Sequence, residues 1–362
     1  MDKEIELVLA DYGYIFGQYT FRAFGAGHIN STFLISVIGK EDQFILQNIN
    51  RNVFKEPLII ANNMRLVENY LKNHYPSYLF VGSIQTSKGD EMAIVDGTYW
   101  RMTRYIPNSV SLETLSDPKQ AFEAAVQFGK LSKLLDGFDA SLLKPSILGF
   151  HNLNLRFDQF NKVLETADPE IKVKASAQIQ KALNYAFIVD YFNSYKDSAD
   201  FPDRVMHHDT KINNMLFDKD TMEGICVIDL DTVMPGKFIS DLGDMMRTYL
   251  CPFSENEPDT DKVFIRMEYF EAIVKGYLSQ MGKILTSAEK ELIIFSGKYL
   301  IYMQALRFLT DYLNGSIYYQ VAYPEQNLVR TKNQFKLLSE FFVKEKLLQA
   351  IVDKCLNEEF DS

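Results

Sequence analysis

Cysteine is scarce in this 362-residue sequence. Its three residues, Cys226, Cys251 and Cys355, are scattered, with no Cys-x-x-Cys pair and no Cys/His cluster at zinc-ligand spacing. Neither a disulfide framework nor a structural zinc centre is expected. Long apolar runs are missing too: no stretch of about 18 apolar residues occurs, so no membrane-spanning helix is expected. Residues 1–12 (MDKEIELVLADY) lack the basic start, apolar middle and small-residue cleavage site of a signal peptide, and the expected compartment is the cytoplasm. Basic residues are outnumbered, 38 Lys and Arg against 48 Asp and Glu, for a net charge of −10. That balance argues against a chain held mainly by nucleic-acid phosphates, although a local basic cleft remains open. Internal repeats and low-complexity tracts are also lacking. What remains is globular in composition, 47% hydrophobic and 24% charged, and at roughly 100–200 residues per domain the length suggests about two domains.

From about residue 19 to 107 the pattern is short alternating apolar runs. Ser31–Val37 and Phe44–Asn48, joined by the Gly39-Lys40-Glu41-Asp42 turn signal, predict a hairpin. A helical stretch at Pro57–Leu71 follows, and strands are expected again at Leu79–Gln85, Met92–Val95 and Tyr99–Ile106. This order predicts an α+β lobe, a small sheet with one helix, over residues 1–107. After Pro107 the period changes from 2 to 3.6. Ser116-Asp117-Pro118 supplies a helix start, with Ala124, Phe128, Leu131 and Leu135 on one face behind it. Stripes at Phe157, Phe160 and Leu164, and at Ile179, Leu183 and Ala186, continue the helical pattern. Thr286 and Glu289 form a capping box ahead of a long apolar segment through Leu313. Residues 108–362 are thus expected to form a larger, mainly helical lobe, joined to the first by a linker near 106–116.

One polar island interrupts the helices. It reads Met206-His207-His208-Asp209-Thr210-Lys211-Ile212-Asn213-Asn214, then Val227-Ile228-Asp229-Leu230-Asp231-Thr232. An Asp, an Asn five residues on, and a second Asp about twenty residues past the first are what phosphoryl transfer from a nucleotide requires. One carboxylate, Asp209, takes the proton of the attacking hydroxyl, while the Asn214 amide oxygen and the Asp229 carboxylate hold Mg²⁺ on the phosphates. Lys211 is placed to meet charge developing on the transferred group. A lone Asp–Asn pair is usually turn chemistry, but the joint pattern His-x-Asp-x-Lys-x-x-Asn with Val-Ile-Asp is far more specific. His207 reads as a hydrogen-bonded organiser of the loop rather than an acid or base. His208 and Asn213 are candidates for secondary contacts, and Asp231 for either a second metal neighbour or a structural carboxylate.

These motifs resemble those of the aminoglycoside phosphotransferase and choline kinase superfamily, whose fold is that of the protein kinases. Further blocks resemble its N-acetylhexosamine 1-kinase branch: Gly25–Thr32, Phe44–Gln47, Asp229–Gly236, Asp241–Asp244, Leu306–Leu313 and Tyr323–Thr331. The resemblance runs from about residue 24 to 338. It implies a two-lobe kinase, expected as a monomer, transferring the ATP γ-phosphate to the anomeric hydroxyl of N-acetylglucosamine or N-acetylgalactosamine, with no nucleic-acid or membrane partner. It implies nucleotide contacts at Gly25, Gly27, Thr32 and Gln47, and adenine pairing by the backbone of Arg104, Tyr105 and Ile106. For the sugar it implies His28, Asn30, Thr248, Arg307 and Tyr318.

The residue types suit a sugar, since an arginine fork serves adjacent hydroxyls and an aromatic face covers a pyranose. Other readings stay open: Arg307 could pair with Asp311 four residues on, and Tyr318 could be core. Gly25-Ala26-Gly27 could be an ordinary tight turn. The strand position that carries the nucleotide-binding lysine in the superfamily reads Gln47, a neutral amide, so Glu68 loses its rationale as a lysine partner and reads as a solvated helix residue. Two alternatives therefore stand beside the sugar kinase. One is a kinase of another small alcohol such as choline, ethanolamine, homoserine or an aminoglycoside, for which Asp241, Asp244, Tyr318 and Tyr319 could build an acidic or aromatic pocket. The other is a catalytically silent binding module.

Overall fold

The computed structural model describes residues 2–25 and 29–360. Gly27 and His28 lie outside the described residues. A helix, α1 (Asp2–Asp11), precedes strands β1 (Tyr19–Ala23), β2 (Ser31–Val37) and β3 (Gln43–Asn48). Helix α2 (Pro57–His74) is followed by β4 (Ser83–Ile84), β5 (Ala93–Val95) and β6 (Thr98–Arg104). These strands form one antiparallel sheet in the order β1-β2-β3-β6-β4, with β5 also on β6. Alternation explains its inner face: Phe33 and Ile35, Leu46, Trp100 and Met102 are buried and pack with Ile5, Val8 and Leu9 of α1. The helix α1 was not legible as such, because its short acidic sequence shows only three buried positions.

The expected strand at Leu79–Gln85 is reduced to Ser83–Ile84. Tyr78 and Phe80 turn instead against the large hydrophobic core, so their apolar surface is buried without pairing. That core also takes in Ile60, Ala61, Met64, Val67 and Leu71 of α2, which therefore docks on the helical lobe as well as on the sheet. The linker is short. β7 (Ser109–Val110) already pairs with β9 (Met215–Asp218), which pairs in turn with β10 (Gly224–Val227).

The larger lobe begins with α3 (Pro118–Leu134), capped as expected by Asp117 and Gln120, with Ala124, Phe128, Leu131 and Leu135 all buried. Helices α4 (Leu153–Thr166), α5 (Pro169–Lys174), α6 (Ser176–Asn184) and α7 (Phe187–Tyr195) follow. The expected stripe Ile179, Leu183, Ala186 is not one face: α6 ends before Ala186, its buried residues are Gln178 and Ala182, and Leu183 is exposed. Then come β8 (Arg204–Met206), β9, β10 and β11 (Met234–Gly236), with β8 paired to β11, and helices α8 (Ile239–Tyr249) and α9 (Met267–Met281). The chain ends in α10 (Ser287–Glu291), α11 (Ile293–Leu313) and α12 (Gln326–Phe360).

Two sequence features set the position of the polar island. The Thr286/Glu289 capping box forms, and Glu289, fully buried, also receives Arg204 at 2.9 and 2.8 Å, so it anchors the strand that leads into residues 207–214. The helix is interrupted once, at Leu292, before α11 begins. Gly243 lets α8 lie directly on α11, since a Cβ there would collide with the Ser296 carbonyl oxygen. Any side chain at 243 would push α8, and the carboxylates it carries, off the core.

Candidate active site

The island folds into a loop whose backbone is pinned from two sides. On one side Asp241, on α8, accepts from the backbone N–H groups of His207 (2.9 Å) and His208 (2.7 Å). Asp244, one turn on, accepts from Thr210 N–H (3.0 Å) and from Arg247 Nε (2.9 Å), and Tyr249 donates to the Thr210 carbonyl (2.5 Å). On the other side His207, buried, donates from Nε2 to the Ile228 carbonyl (2.9 Å), while Ile228 N–H donates to the Asn214 carbonyl (2.9 Å). These bonds lock residues 207–214 to the turn carrying Asp229, with His207 in the organising position its sequence context predicts.

Asp209 and Asn214, five residues apart, are thereby tied to the turn of Asp229, fifteen residues past Asn214. Asn214 donates its amide N–H to the Asp209 carbonyl (2.9 Å), which leaves the amide oxygen for another partner. Asp229 adopts φ +58, uncommon for a residue with a side chain, and strain of this kind clusters at functional turns. Lys211 Nζ lies 2.9 Å from the Asp209 carboxylate. Burial would raise the Asp209 pKa, but the Lys211 ammonium, with His207 and Arg247 behind it, outweighs burial and holds the carboxyl below its usual range. Lys211 is raised in return, chiefly by Asp209. Asp229 is the opposite case, pushed up to about 7 by burial and then by the neighbouring Asp231 and Asp209 carboxylates.

A divalent cation fits that chemistry. Asp209 and Asp231 have Lys211 and Arg101 as partners, whereas Asp229 is buried beside both carboxylates with no ion pair of its own among the described residues, and an aspartate with a side-chain amide oxygen is a hard-oxygen donor pair. Among the described residues no three His, Cys, Asp or Glu side chains form a closed metal cage. Mg²⁺ held by Asp229 and Asn214 would complete its shell from phosphate oxygens and water, its usual habit at nucleotides.

The small sheet faces this loop. Gly25, at φ +75, has open space where a Cβ would stand, and Thr32, Gln47 and Arg101 sit opposite one another on β2, β3 and β6. Gln47 reaches Thr32 Oγ1 (3.4 Å) and accepts from Arg101 Nη2 (2.6 Å). Arg101 forms a buried ion pair with Asp231, and Asp231 also accepts from Asn30 Nδ2 (2.8 Å). Asn30 Oδ1 accepts from Asn50 N–H (3.0 Å), so both ends of that amide are engaged by the protein. Arg104 ends β6, Tyr105 N–H bonds the Gln43 carbonyl (3.1 Å), and the Ile106 carbonyl accepts from Ser109 Oγ (2.6 Å). Glu68 is not solvated: it pairs with Lys72 at 2.9 Å and packs over Gly82.

Beside His208, the neighbour of Asp209 in the chain, lies an aromatic and cationic group. His151 stands 5.3 Å from His208 and stacks on Phe150 at 4.5 Å. Arg307 covers Phe150 (5.3 Å), Tyr319 (5.6 Å) and Tyr318 (5.9 Å). It does not pair with Asp311, whose carboxylate instead receives Tyr318 N–H, Tyr319 N–H and Asn327 Nδ2. Arg307 bonds Gln304 Oε1 at 3.1 Å. Tyr318 is exposed rather than core. Thr248 turns its hydroxyl back to the Asp244 carbonyl (2.7 Å). Sequence reasoning missed Arg101 and His151; a lone arginine within a strand pattern was the one signal that pointed to the first.

His208 is buried and neutral: desolvation lowers its pKa to about 4, against the bonds its Nδ1 makes to the Met206 and Thr232 carbonyls. Because the folded value lies below the unfolded one, the unfolded chain binds more protons between the two. Stability from this group is complete above about pH 6.5 and is lost as pH falls toward 4, with a slope of about 1.4 kcal/mol per unit. Denaturant titrations from pH 7 to 4.5 are expected to show a steeper acid limb than those of His208→Gln. Equal limbs would contradict a neutral His208.

The fold is shared widely. A microcompartment-associated aminopropanol kinase aligns with a TM-score of 0.64 at 15% identity, covering 95% of this chain and 98% of that one. A spectinomycin phosphotransferase solved with ADP and spectinomycin aligns at 0.59 and 14%, covering 98% of each. A choline kinase from Cryptosporidium parvum Iowa II aligns at 0.55 and 15%, covering 96% and 99%. At such identities the likeness shows the fold, a small antiparallel sheet lobe on a mainly helical one. The sequence pattern of the phosphotransferase enzyme family matches residues 20–272, from the first strand of the sheet through the whole polar island. The chain belongs to that phosphotransferase enzyme family.

Proposed function

We propose that this small-molecule phosphotransferase uses ATP and Mg²⁺ to phosphorylate the anomeric 1-hydroxyl of N-acetylhexosamines. Asp209 takes the hydroxyl proton as the sugar oxygen bonds to the γ-phosphorus and the bond to ADP breaks. A carboxylate held ionised by Lys211 is always ready for this, and a loose transition state asks the base to orient the hydroxyl more than to pull its proton early. Lys211 then meets the charge spreading over the phosphoryl oxygens. Mg²⁺, when bound to Asn214 and Asp229, neutralises the leaving phosphates. Gly25, Gly27 and Thr32 with Gln47 would line the phosphates, and Arg104, Tyr105 and Ile106 the adenine.

The observation that carries the acceptor class is the occupancy of the groups a cationic acceptor would need. Asp241 and Asp244 are engaged by the loop backbone and Arg247, and the tyrosines at 318 and 319 already lie under the Arg307 guanidinium. His151 is held well below its ordinary pKa by burial and by the nearby His208, Arg307, Arg247 and Arg156. An ammonium group would meet cations here, whereas a neutral ring of hydroxyls and an acetamide would meet donors and aromatic faces. Arg307, Tyr318 and His28 are the residues we assign to the sugar; Asn30 and Thr248, engaged by Asp231, Asn50 and the Asp244 carbonyl, would reach it only by giving up those bonds.

The fold likeness to aminopropanol and choline kinases is the ground for the competing reading, an amino-alcohol acceptor. An acceptor panel separates them. ATP consumption is expected with N-acetylglucosamine and N-acetylgalactosamine and not with choline, ethanolamine or aminopropanol. Phosphorus NMR is expected to place the product phosphate on the anomeric carbon. Turnover confined to the amino alcohols would overturn the sugar assignment.

A further inference from the structure

Arg101 is buried to 2% exposure in the middle of the small sheet, where an arginine is costly unless its charge is used. It comes from β6 directly opposite Gln47, and its Nη2 touches the Gln47 amide oxygen at 2.6 Å. Its Nη1 pairs with Asp231, two residues beyond Asp229, and contacts Met64 Sδ at 3.1 Å. Its Nε is buried without a hydrogen-bond partner among the described residues. The row Thr32, Gln47, Arg101 faces the turn that carries Asp229, so this guanidinium lies within electrostatic reach of the candidate metal ligand.

We infer that Arg101 is the phosphate-facing cation of the nucleotide site, supplying from the neighbouring strand the charge that Gln47 does not carry. The inference rests on the kinase reading of the site. Gln47 then has a positioning role: its carbonyl end holds the guanidinium fork, and a planar fork suits phosphate oxygens. Asp231 holds the same fork from the other lobe. The unpartnered Nε adds a donor to a group that already joins β3, through Gln47, to the turn beyond Asp229, through Asp231. The alternative is a strut, an ion pair that only joins the lobes.

Calorimetric binding of adenosine, AMP, ADP and ATP with Mg²⁺, without acceptor, distinguishes the two. Arg101→Met is expected to weaken ATP and ADP roughly tenfold or more while leaving adenosine and AMP within about twofold. Gln47→Glu keeps an acceptor for Arg101 Nη2 but adds a second carboxylate to the one Asp231 supplies, so it should show the same selective loss. Adding Gln47→Lys to Arg101→Met should restore much of the ATP preference. A strut would give equal loss for all four ligands, or a lowered melting temperature with no change in the ATP-to-AMP ratio in either variant; either result overturns the inference. A wild-type chain that bound ATP normally but turned over no sugar would leave this assignment standing and sink the acceptor reading. One that bound none of the four would overturn both.

Discussion

Asp209→Asn should lose turnover by about 10²–10⁴-fold while binding Mg-ATP almost as the wild type does. The side chain is nearly isosteric, and the backbone of its loop is held by other residues: Asp241 fixes 207 and 208, Asp244 fixes 210, and Asn214 bonds the Asp209 carbonyl rather than its carboxylate. The loop should therefore keep its shape. What disappears is the anion that accepts the hydroxyl proton and the partner of Lys211 at 2.9 Å. The signature is a fall in kcat with an unchanged KM for ATP. A variant that kept most of its turnover would show that the base lies elsewhere.

Asp229→Asn should behave differently. Asparagine tolerates the left-handed backbone at φ +58, so the turn survives. The loss is of a charged metal ligand, and since even outer partners of such ligands are worth about 10–100-fold, kcat/KM for Mg-ATP should drop by on the order of a hundredfold or more. The Mg²⁺ concentration for half-maximal rate should rise with it. Without metal the sign reverses. Burial and the Asp231 and Asp209 carboxylates raise the Asp229 pKa, so a neutral side chain relieves repulsion and the melting temperature should hold or increase. Metal titration and thermal melts on the same preparation read both effects. A variant with normal Mg²⁺ dependence would remove Asp229 from the metal site.

The change of period near Pro107, the Asp117 and Thr286 caps and the spacing of Asp209, Asn214 and Asp229 were legible because each is a local pattern with a local physical cause. Asp241 and Asp244 were legible as charges but not as clamps. Whether a carboxylate lines a pocket or holds a backbone depends on which surface α8 presents, and that is fixed by the close approach at Gly243. Arg307 offered a helical partner at Asp311, yet Asp311 is engaged by the loop at 318 and 319, a contact of tertiary origin. The row through Thr32, Gln47 and Arg101 needs strand register, which one residue of slip would have reversed. Leu79–Gln85 failed for a related reason: Phe80 packs on the large core and Leu79 is exposed, so only Ser83 and Ile84 pair with β6.

The most direct measurement is a crystal structure of the chain with Mg²⁺, a non-hydrolysable ATP analogue and N-acetylglucosamine. The account predicts the anomeric hydroxyl oxygen at roughly 2.6–3.2 Å from the Asp209 carboxylate, in line with the γ-phosphorus, and the metal between Asn214 and Asp229. A sugar bound with its anomeric oxygen turned away from Asp209, or a metal held without Asp229, would contradict it.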